Sequence, residues 1–464
     1  MGFPFLCYTF NWVLNFLQFP SLSKRKVFHM TPIYAKIKEE AQSLLPQMVA
    51  RRRDLHHYAE SGWFEIRTSS LVAQRLTELG YEVLTGRDVC LEGERMGLPS
   101  PEKLEQQYQR ALSQGAVQPW AERARGGFTG VIGILRRGPG PVVAMRFDMD
   151  ALGVLEETSD AHRPSMEGFA SVNEGMMHAC GHDGHTSIGL AVAEILMSIQ
   201  DSLHGTVKLI FQPAEEGVRG ARAVTAHGHL DDVDYLLANH MGDSKGKSPR
   251  IGVSTGTTLA TSKLDITFLG RAAHAGVTPE QGNNALMAAA TAVLNLQAIP
   301  RSSQGETRVN VGSLHAGTGR NVICDKAIME VEVRGANTEV NQYVEDYARR
   351  IAAAAAEMHG CTCQIKLMGS AESLSSDPEM IDLCAKVCQE DLEFPVCPPT
   401  PVAGASEDCA YLMNRVRSHG GKGVYFNTLT CCAGPFHSKT FDFDESSMAY
   451  AAALFCGMAV KLMG

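Results

Sequence analysis

The sequence predicts an α/β protein in which a mixed-sheet domain is interrupted by a smaller α+β domain. Between residues 129 and 240, predicted strands alternate with an apolar helix, as in open α/β sheets. Residues 260–370 then give the order β-α-β-β-α-β, which is typical of a ferredoxin-like unit. After residue 370, helical and strand patterns alternate again. We therefore predict one larger domain from residues 30–259 and 371–464, with residues 260–370 inserted into it.

The composition is that of an ordinary globular protein. The 464 residues are 44% hydrophobic and 20% charged, which provides enough apolar surface for two or three domains. The net charge of -9 and the absence of a long basic block argue against a nucleic-acid-binding protein. The 13 cysteines are scattered without framework spacing, which indicates reduced thiols in a cytoplasmic protein.

Residues 1–29 differ from the rest of the chain. Residues 3–20 are rich in aromatic side chains and nearly uncharged, and a basic triplet follows them at 24–26. A secretory signal carries its positive charge before the apolar run, so a signal peptide is not indicated. A membrane anchor is an alternative, although polar residues interrupt the run. We expect translation to begin at Met30, with residues 1–29 a non-native or disordered extension.

The elements of the larger domain follow from apolar periodicity and from turn residues. A polar stretch at residues 90–125 is predicted to be an insertion between two strands. The predicted helices are residues 33–53, 63–79, 101–112, 188–199, 380–392, 407–416 and 446–462. The predicted strands are residues 81–84, 129–135, 141–147, 206–211, 233–238 and 424–426.

The inserted domain has its own pattern, starting with an alternating stretch that is typical of a half-buried strand. An alanine-rich helix and three further strands follow, with a long helix before the fourth strand. In chain order, the elements are strand 263–268, helix 283–296, strands 308–314 and 327–334, helix 340–358 and strand 362–367.

Metal-binding side chains are concentrated in the sequence MMHACGHDGH at residues 176–185. Thiolate and imidazole groups are good ligands for zinc and related divalent ions. Cys180 and His182 are two residues apart, so both can reach one metal from a turn that enters the following helix. The alternative is a reduced structural cysteine among surface histidines.

Three successive predicted strands lead into residues that can bind a metal or transfer a proton. These residues are Asp-Met-Asp at 148–150, Glu-Glu at 215–216 and Asn-His at 239–240. Each has an ordinary explanation alone, such as carboxylates at a helix start or a core histidine. Open α/β sheets place their sites at the carboxyl ends of strands, so the co-occurrence predicts one site.

The chemistry predicted for this site is dinuclear metal hydrolysis. Two divalent metals need about four to six protein ligands. Glu215 is then free to take a proton from the attacking water and pass it to the leaving nitrogen. Asp150 suits a role in orienting a ligand. The candidate ligands are Cys180, His182, Glu216, His240 and His437.

The chain resembles the M20 metallopeptidase family, in the amidohydrolase branch that hydrolyses N-acyl and N-aroyl amino acids. The resemblance rests on DMDAL, MHACGHDGHT, QPAEEG, NHMG, AAHAG and HSKTFDFDE, which occur in this order. It implies two divalent ions, manganese or zinc, bound by the five ligands above, with Glu215 as the catalytic base.

The resemblance also implies that the inserted domain dimerises and closes over the substrate as a lid. His274 matches a histidine that reaches the scissile carbonyl from the neighbouring subunit. Asn321 and Arg334 match residues that hold the carbonyl and carboxylate of the substrate. The implied partner is a second copy of the chain or a related B-type subunit. The chain departs from the family pattern at Cys324, where relatives usually have proline, and at Phe436, where a second histidine is common.

The favoured function is hydrolysis of p-aminobenzoyl-glutamate to p-aminobenzoate and glutamate. Three alternatives stay open: a broader N-acyl or N-aroyl amino acid hydrolase, a non-catalytic metal-binding subunit, and a membrane-tethered protein. The presence of Glu215 argues against a non-catalytic role. Zinc, manganese and cobalt all suit the ligand set.

Overall fold

The computed structural model describes residues 30–246, 248–398 and 404–464. The predictions made for residues 1–29 lie outside these described residues. Two sheets organise the described chain, one of eight strands and one of four. Their strands are β1 (Glu82–Thr85), β2 (Val131–Arg137), β3 (Val142–Asp148), β4 (Gly205–Gln212), β5 (Tyr235–Asp243), β6 (Arg250–Gly252), β7 (Ala260–Leu269), β8 (Thr307–Ala316), β9 (Lys326–Gly335), β10 (Thr362–Ala371), β11 (Val396–Cys397) and β12 (Lys422–Thr430).

The α-helices lie before, between and after these strands. The described helices are α1 (Pro32–Ser43), α2 (Leu45–His57), α3 (Ile66–Glu78), α4 (Pro101–Ser113), α5 (Trp120–Ala124), α6 (Arg163–Met166), α7 (His182–Ser198), α8 (Ala221–Thr225), α9 (Ala285–Gln297), α10 (Thr338–Met358), α11 (Pro378–Lys386), α12 (Cys409–Ser418) and α13 (Met448–Met463). A short π-helix, Val387–Asp391, continues α11.

The larger sheet is mixed, as predicted. Its strand order is β1-β2-β4-β3-β5-β12-β6-β11. The four central strands β4, β3, β5 and β12 are parallel to one another. β2 and β6 pair antiparallel with this central group. The carboxyl ends of the four parallel strands therefore meet at one edge, which is where sheets of this kind place their sites.

Helix α7 is buried on all sides and brings its first turn to this edge of the sheet. Its residues are mostly small or apolar, and it packs against α2, α13 and β3. The close approach to the sheet requires Gly189, since a Cβ there would lie 2.7 Å from ring atoms of both Phe147 and Phe211. The position of this helix fixes the position of His182, its first residue.

One segment of the described chain has the length and composition of a membrane span. It is Glu445–Met463, which includes α13, and its mean hydropathy is 1.4. However, 72% of it is buried inside the molecule, where it packs with the main hydrophobic core. This burial is that of a core helix.

The smaller sheet has the strand order β10-β7-β9-β8, and every pairing in it is antiparallel. Helices α9 and α10 pack against it and share a hydrophobic core with it. The β-α-β-β-α-β order predicted from the sequence is confirmed. The lid and dimerisation roles of this unit stay a prediction.

The structure corrects one predicted helix, residues 33–53. This segment forms two helices, α1 and α2, which meet at Leu44. Pro46 has no N–H to donate to the carbonyl of residue 42, but it is tolerated in the first turn of a new helix. The sequence reasoning also missed β6 and β11, which have three and two residues.

We expect Gly189→Ala to destabilise the protein, although alanine favours helices by about 1 kcal/mol relative to glycine. The added methyl would contact two buried aromatic rings, and overpacking of this kind costs about 1–3 kcal/mol. Urea unfolding would measure the change. Gly153→Ala is the control, because a Cβ at Gly153 has nothing within 4 Å. A gain in stability for Gly189→Ala would contradict the close packing described here.

Candidate metal centre

The five predicted metal ligands and Glu215 lie together at the edge formed by the carboxyl ends of the parallel strands. Cys180 and His182 stand at the start of α7, where Gly181 adopts a φ of 90°. Glu215 and Glu216 follow β4, and the other two ligands are in β5 and in the loop after β12. Except for His182, which is fully buried beside them, these residues line one cavity of about 690 Å³.

The hydrogen bonds of two histidines direct their free nitrogens to the centre. The Nδ1 of His182 lies 2.9 Å from the backbone oxygen of Asp150, so it acts as the donor. Its Nε2 is buried and has no hydrogen-bond partner in the described chain. His240 likewise donates from Nδ1 to the carbonyl of Met241 at 2.6 Å, and its Nε2 lies 3.4 Å from the Sγ of Cys180. Metal-binding histidines commonly have this arrangement, because the second nitrogen fixes the ring.

Two further donor groups overlap at Glu216. Its carboxylate lies within 4.8 Å of donor atoms of Cys180 and His437, and also within 4.8 Å of those of His182 and Glu215. The Nε2 of His437 is 3.5 Å from Oε1 of Glu216, and that oxygen is buried without a hydrogen-bond partner among the described residues. Adjacent donor groups that share a carboxylate suit two neighbouring cations.

Asp148 is a further donor candidate that the predicted ligand set did not include. Its Oδ2 lies 3.7 Å from the Nε2 of His182. Burial raises the pKa of Asp148, but Arg146, His182 and His185 hold this pKa well below its ordinary value. The signal was present in the sequence, since Asp148 opens the Asp-Met-Asp segment at the end of a strand.

His185 lies close to the centre, but both of its nitrogens are already used. Its Nδ1 donates to Asp148 at 2.5 Å, and its Nε2 accepts the N–H of Met241 at 2.9 Å. These two bonds fix the neutral tautomer that carries a proton on Nδ1. The ring therefore orients Asp148 and has no lone pair free for a metal.

Asp150 holds the turn that carries the two glutamates. Its Oδ1 and Oδ2 accept the N–H groups of Glu215 and Glu216, at 3.0 and 2.9 Å. The turn contains Ala214 at a φ of 49°, a left-handed conformation that costs about 1–2 kcal/mol for a residue with a Cβ. The two hydrogen bonds to a buried carboxylate offset this strain.

Glu215 is buried in a cluster with two acids that sequence reasoning missed, Glu407 and Asp408. Burial raises the pKa of Glu215 well above its ordinary value, and Glu407, Glu216 and Asp408 raise it further. Glu407 accepts hydrogen bonds from Tyr425 at 2.6 Å and from Arg146 at 2.9 Å. Acidic residues just before a helix are common for other reasons, so the sequence around Glu407 gave no specific signal.

The donor set fits divalent cations on two counts. The Nε2 of His182 and the Oε1 of Glu216 are buried polar atoms that lack a partner in the described chain, which is costly in the absence of a ligand. The centre also gathers more carboxylates than cationic side chains. Thiolate, imidazole and carboxylate ligands together suit zinc, manganese or cobalt.

The three predicted residues of the smaller sheet unit do not lie together. Arg334 lines the same cavity as the metal centre, donating to the carbonyl of Gly404 and, at 3.0 Å, to Glu332. His274 and Asn321 are exposed and are not among the described residues that line this cavity. They are neighbours, since the N–H of Ala275 donates to the carbonyl of Asn321 at 2.9 Å.

The two departures from the family pattern are well packed. Cys324 is buried, and its Sγ donates to the carbonyl of Lys326 at 3.1 Å. Its own carbonyl accepts the N–H of Ala285 and so ties the loop to α9. Phe436 lines the cavity, with its ring centroid 6.0 Å from that of His240. Phe436 therefore supplies apolar surface beside a candidate ligand.

Two curated relatives are similar to this chain over nearly its whole length. The indole-3-acetyl-aspartic acid hydrolase of Enterobacter agglomerans is 47% identical over 425 residues, which cover 89% of this chain and 95% of the relative. The second relative is one named subunit of the p-aminobenzoyl-glutamate hydrolase of Escherichia coli (strain K12). It is 46% identical over 434 residues, which cover 92% of this chain and 98% of the relative.

Two solved structures share the fold. The aminobenzoyl-glutamate utilization protein from Klebsiella pneumoniae has a TM-score of 0.79 and 39% identity, covering 92% of this chain and 98% of that one. The YXEP protein of Bacillus subtilis, a dinuclear metal binding peptidase from the M20 family, has a TM-score of 0.63 and 26% identity, covering 91% and 99%.

The sequence profile of one family matches most of the chain. The match extends over residues 144–461, which include every candidate ligand described above as well as the smaller sheet unit. The predicted family resemblance is thereby confirmed. The chain belongs to peptidase family M20/M25/M40.

Proposed function

We propose that the chain is a metal-dependent amidohydrolase that cleaves an acyl or aroyl group from an acidic amino acid, with p-aminobenzoyl-glutamate as the favoured substrate. The observation that carries this proposal is the buried carboxylate of Glu215, which lines the same cavity as the donor atoms of Cys180, Glu216 and His437. The two curated relatives are named for glutamate and aspartate conjugates.

A broader acyl specificity is the second candidate. The acyl halves named for those relatives differ, one being p-aminobenzoyl and the other indole-3-acetyl. The cavity of about 690 Å³ is large enough for either aromatic group, and Phe436 and Val218 line it. We therefore expect discrimination to be stronger at the amino acid than at the acyl group.

The chain's own groups divide the reaction between them. Divalent cations, which we propose to be manganese or zinc, supply Lewis acidity and lower the pKa of water to about 7. Glu215 takes a proton from the attacking water and then donates it to the leaving nitrogen. Asp150 positions this base, because it holds the N–H of Glu215. Arg334 holds the α-carboxylate of the amino acid.

The smaller sheet unit, residues 260–370, acts in this proposal as a lid and a dimerisation domain. Apolar side chains of its described residues stand exposed on and around α9, including Val277 at 70%, Leu286 at 39%, Met287 at 45% and Leu294 at 74% exposure. Such a patch indicates a protein interface. The partner is a second copy or a related B-type subunit, and His274 and Asn321 contact the substrate carbonyl from across that interface or after closure.

The reaction takes place in the cytoplasm in this proposal. The cysteines of the described chain are all free thiols, several of them buried. A reducing compartment maintains thiols in this form.

The test of the proposed function is release of product from p-aminobenzoyl-glutamate, indole-3-acetyl-aspartate and an N-acetyl amino acid panel. The purified chain would be stripped with a chelator and reloaded with manganese, zinc or cobalt. Metal-dependent release of glutamate or aspartate supports the proposal. A chain that stays inactive on every conjugate with each metal, alone and with a B-type subunit, would contradict it.

We expect Glu215→Gln to abolish most turnover while leaving the bound metal in place. The amide keeps the size of the side chain but transfers no proton. General acid–base groups contribute roughly 10²–10⁴ in rate, and we expect a loss at the upper end because Glu215 serves both proton transfers. Steady-state kinetics and metal analysis on one sample would measure this. Near-normal kcat at full metal content would remove Glu215 from the role of base.

For His274, the dimer proposal predicts complementation between two inactive variants. His274→Ala and Glu215→Gln subunits, when mixed, would form dimers in which one site has both groups intact. Activity should recover to about half of the normal value per mixed dimer. Subunit exchange would be followed independently with labelled chains. Exchange without recovered activity would show that each site is built from one chain.

Arg334→Lys should lower kcat/KM by roughly ten- to a hundredfold on every amino acid conjugate. Lysine keeps the charge but loses the two parallel hydrogen bonds of the guanidinium, and bonds to charged groups contribute about 1.5–3 kcal/mol. Arg308→Lys is the matched control, since Arg308 pairs directly opposite Arg334 in the sheet and does not line the cavity. Equal kinetics for both variants would exclude Arg334 from substrate binding.

A further inference from the structure

We propose that Lys263 binds the side-chain carboxylate of the substrate's amino acid and so selects glutamate and aspartate conjugates over neutral ones. This inference rests on the proposed function and names a specificity residue for it. The relatives and the motifs point to acidic amino acids, but none of the residues discussed so far recognises the second carboxylate.

Lys263 lies in the same cavity as the candidate metal centre. It is on β7, is half-buried, and lines the cavity together with Glu215, Glu216 and Arg334. A lysine in a partly enclosed cavity commonly has a carboxylate partner, because desolvating an ammonium group without compensation is costly.

No ion pair or side-chain hydrogen bond of Lys263 is formed within the part of the chain that the structure describes. The residues outside that part, 1–29, 247 and 399–403, include no aspartate or glutamate. Glu332 is paired with Lys263 in the register of β7 and β9. Its carboxylate is instead bound by Arg334 at 3.0 Å and by Thr261 at 3.4 Å. The ammonium group therefore has a position available for a ligand carboxylate.

The sheet register places Lys263 and Arg334 as a pair of cations on one face. Arg334 is opposite Thr261, and Lys263 is opposite Glu332, so the two cationic residues are diagonal neighbours on adjacent antiparallel strands. Diagonal neighbours are about 7–8 Å apart at the backbone, within reach of long side chains. All four of these residues line the cavity. One acidic amino acid has two carboxylates, and this pair of cations can hold both.

Lys245 is the other lysine that lines this cavity, and it is a weaker candidate. It is exposed and lies in a turn with a φ of 48°, rather than on a strand. Lys263 is fixed by backbone pairing with β9 on one side, and β10 pairs along the other side of β7. A rigid backbone favours discrimination between substrates, because less side-chain and loop ordering is needed on binding.

The test compares Lys263→Met with the unchanged chain on p-aminobenzoyl-glutamate and p-aminobenzoyl-alanine. Methionine removes the charge and keeps most of the side-chain length. We expect kcat/KM to fall roughly ten- to a hundredfold on the glutamate conjugate and to stay within about twofold on the alanine conjugate. Lys263→Arg, which keeps the charge, should retain most of the preference for glutamate. Lys366→Met is the control, because Lys366 is on the adjacent β10, is exposed and does not line the cavity.

Three results would overturn the proposal. They are an unchanged ratio of the two kcat/KM values in Lys263→Met, an equal loss on both conjugates, and a loss of glutamate preference in Lys245→Met with none in Lys263→Met. Thermal unfolding of each variant would separate a fold defect from a change in specificity. If the unchanged metal-loaded chain cleaves neither conjugate, the proposed function itself is wrong. If it cleaves both and only the ratio fails to respond, the function stands and the assignment of Lys263 is wrong.

Discussion

The hydrogen bonds of Asp150 are the constraint on which the candidate site depends, because they join three separate segments of the chain. Its carboxylate accepts the N–H groups of Glu215 and Glu216, and its backbone oxygen accepts the ring N–H of His182. The first two bonds hold a strained turn, and the third aims the free nitrogen of an imidazole. A single buried residue thus sets both the base and two ligands relative to the sheet.

Much of the fold and of the site could be predicted because the signals are local. Strands and helices show their own periodicity, and the β-α-β-β-α-β order of residues 260–371 follows from that periodicity alone. The clustering of ligands follows from a topological rule, since the residues after β3, β4 and β5 meet at the carboxyl edge of a parallel sheet. Neither inference needs knowledge of distant contacts, so both could be made from one sequence.

The parts that could not be predicted depend on contacts between distant segments. Glu407 lies beside Glu215 only because α12 packs near the end of β4, and it is held there by Tyr425 and Arg146. The role of His185 follows from hydrogen bonds to both of its nitrogens, which its position in the histidine cluster does not reveal. Very short strands such as β6 and β11 are defined by pairing with a neighbour, so they carry no periodic signal.

The insertion of β12 between β5 and β6 has a consequence for biosynthesis. β12 pairs with both of these strands, although the whole smaller sheet unit is translated before it. At roughly 5–20 residues per second, a ribosome needs on the order of ten seconds or more to reach β12 after completing β5. During that time the facing edges of β5 and β6 have open hydrogen-bonding groups, which can pair with other nascent chains. The yield of active protein in a cell therefore depends on how well this gap is protected during translation, and a defect there would appear as aggregation rather than as slow catalysis.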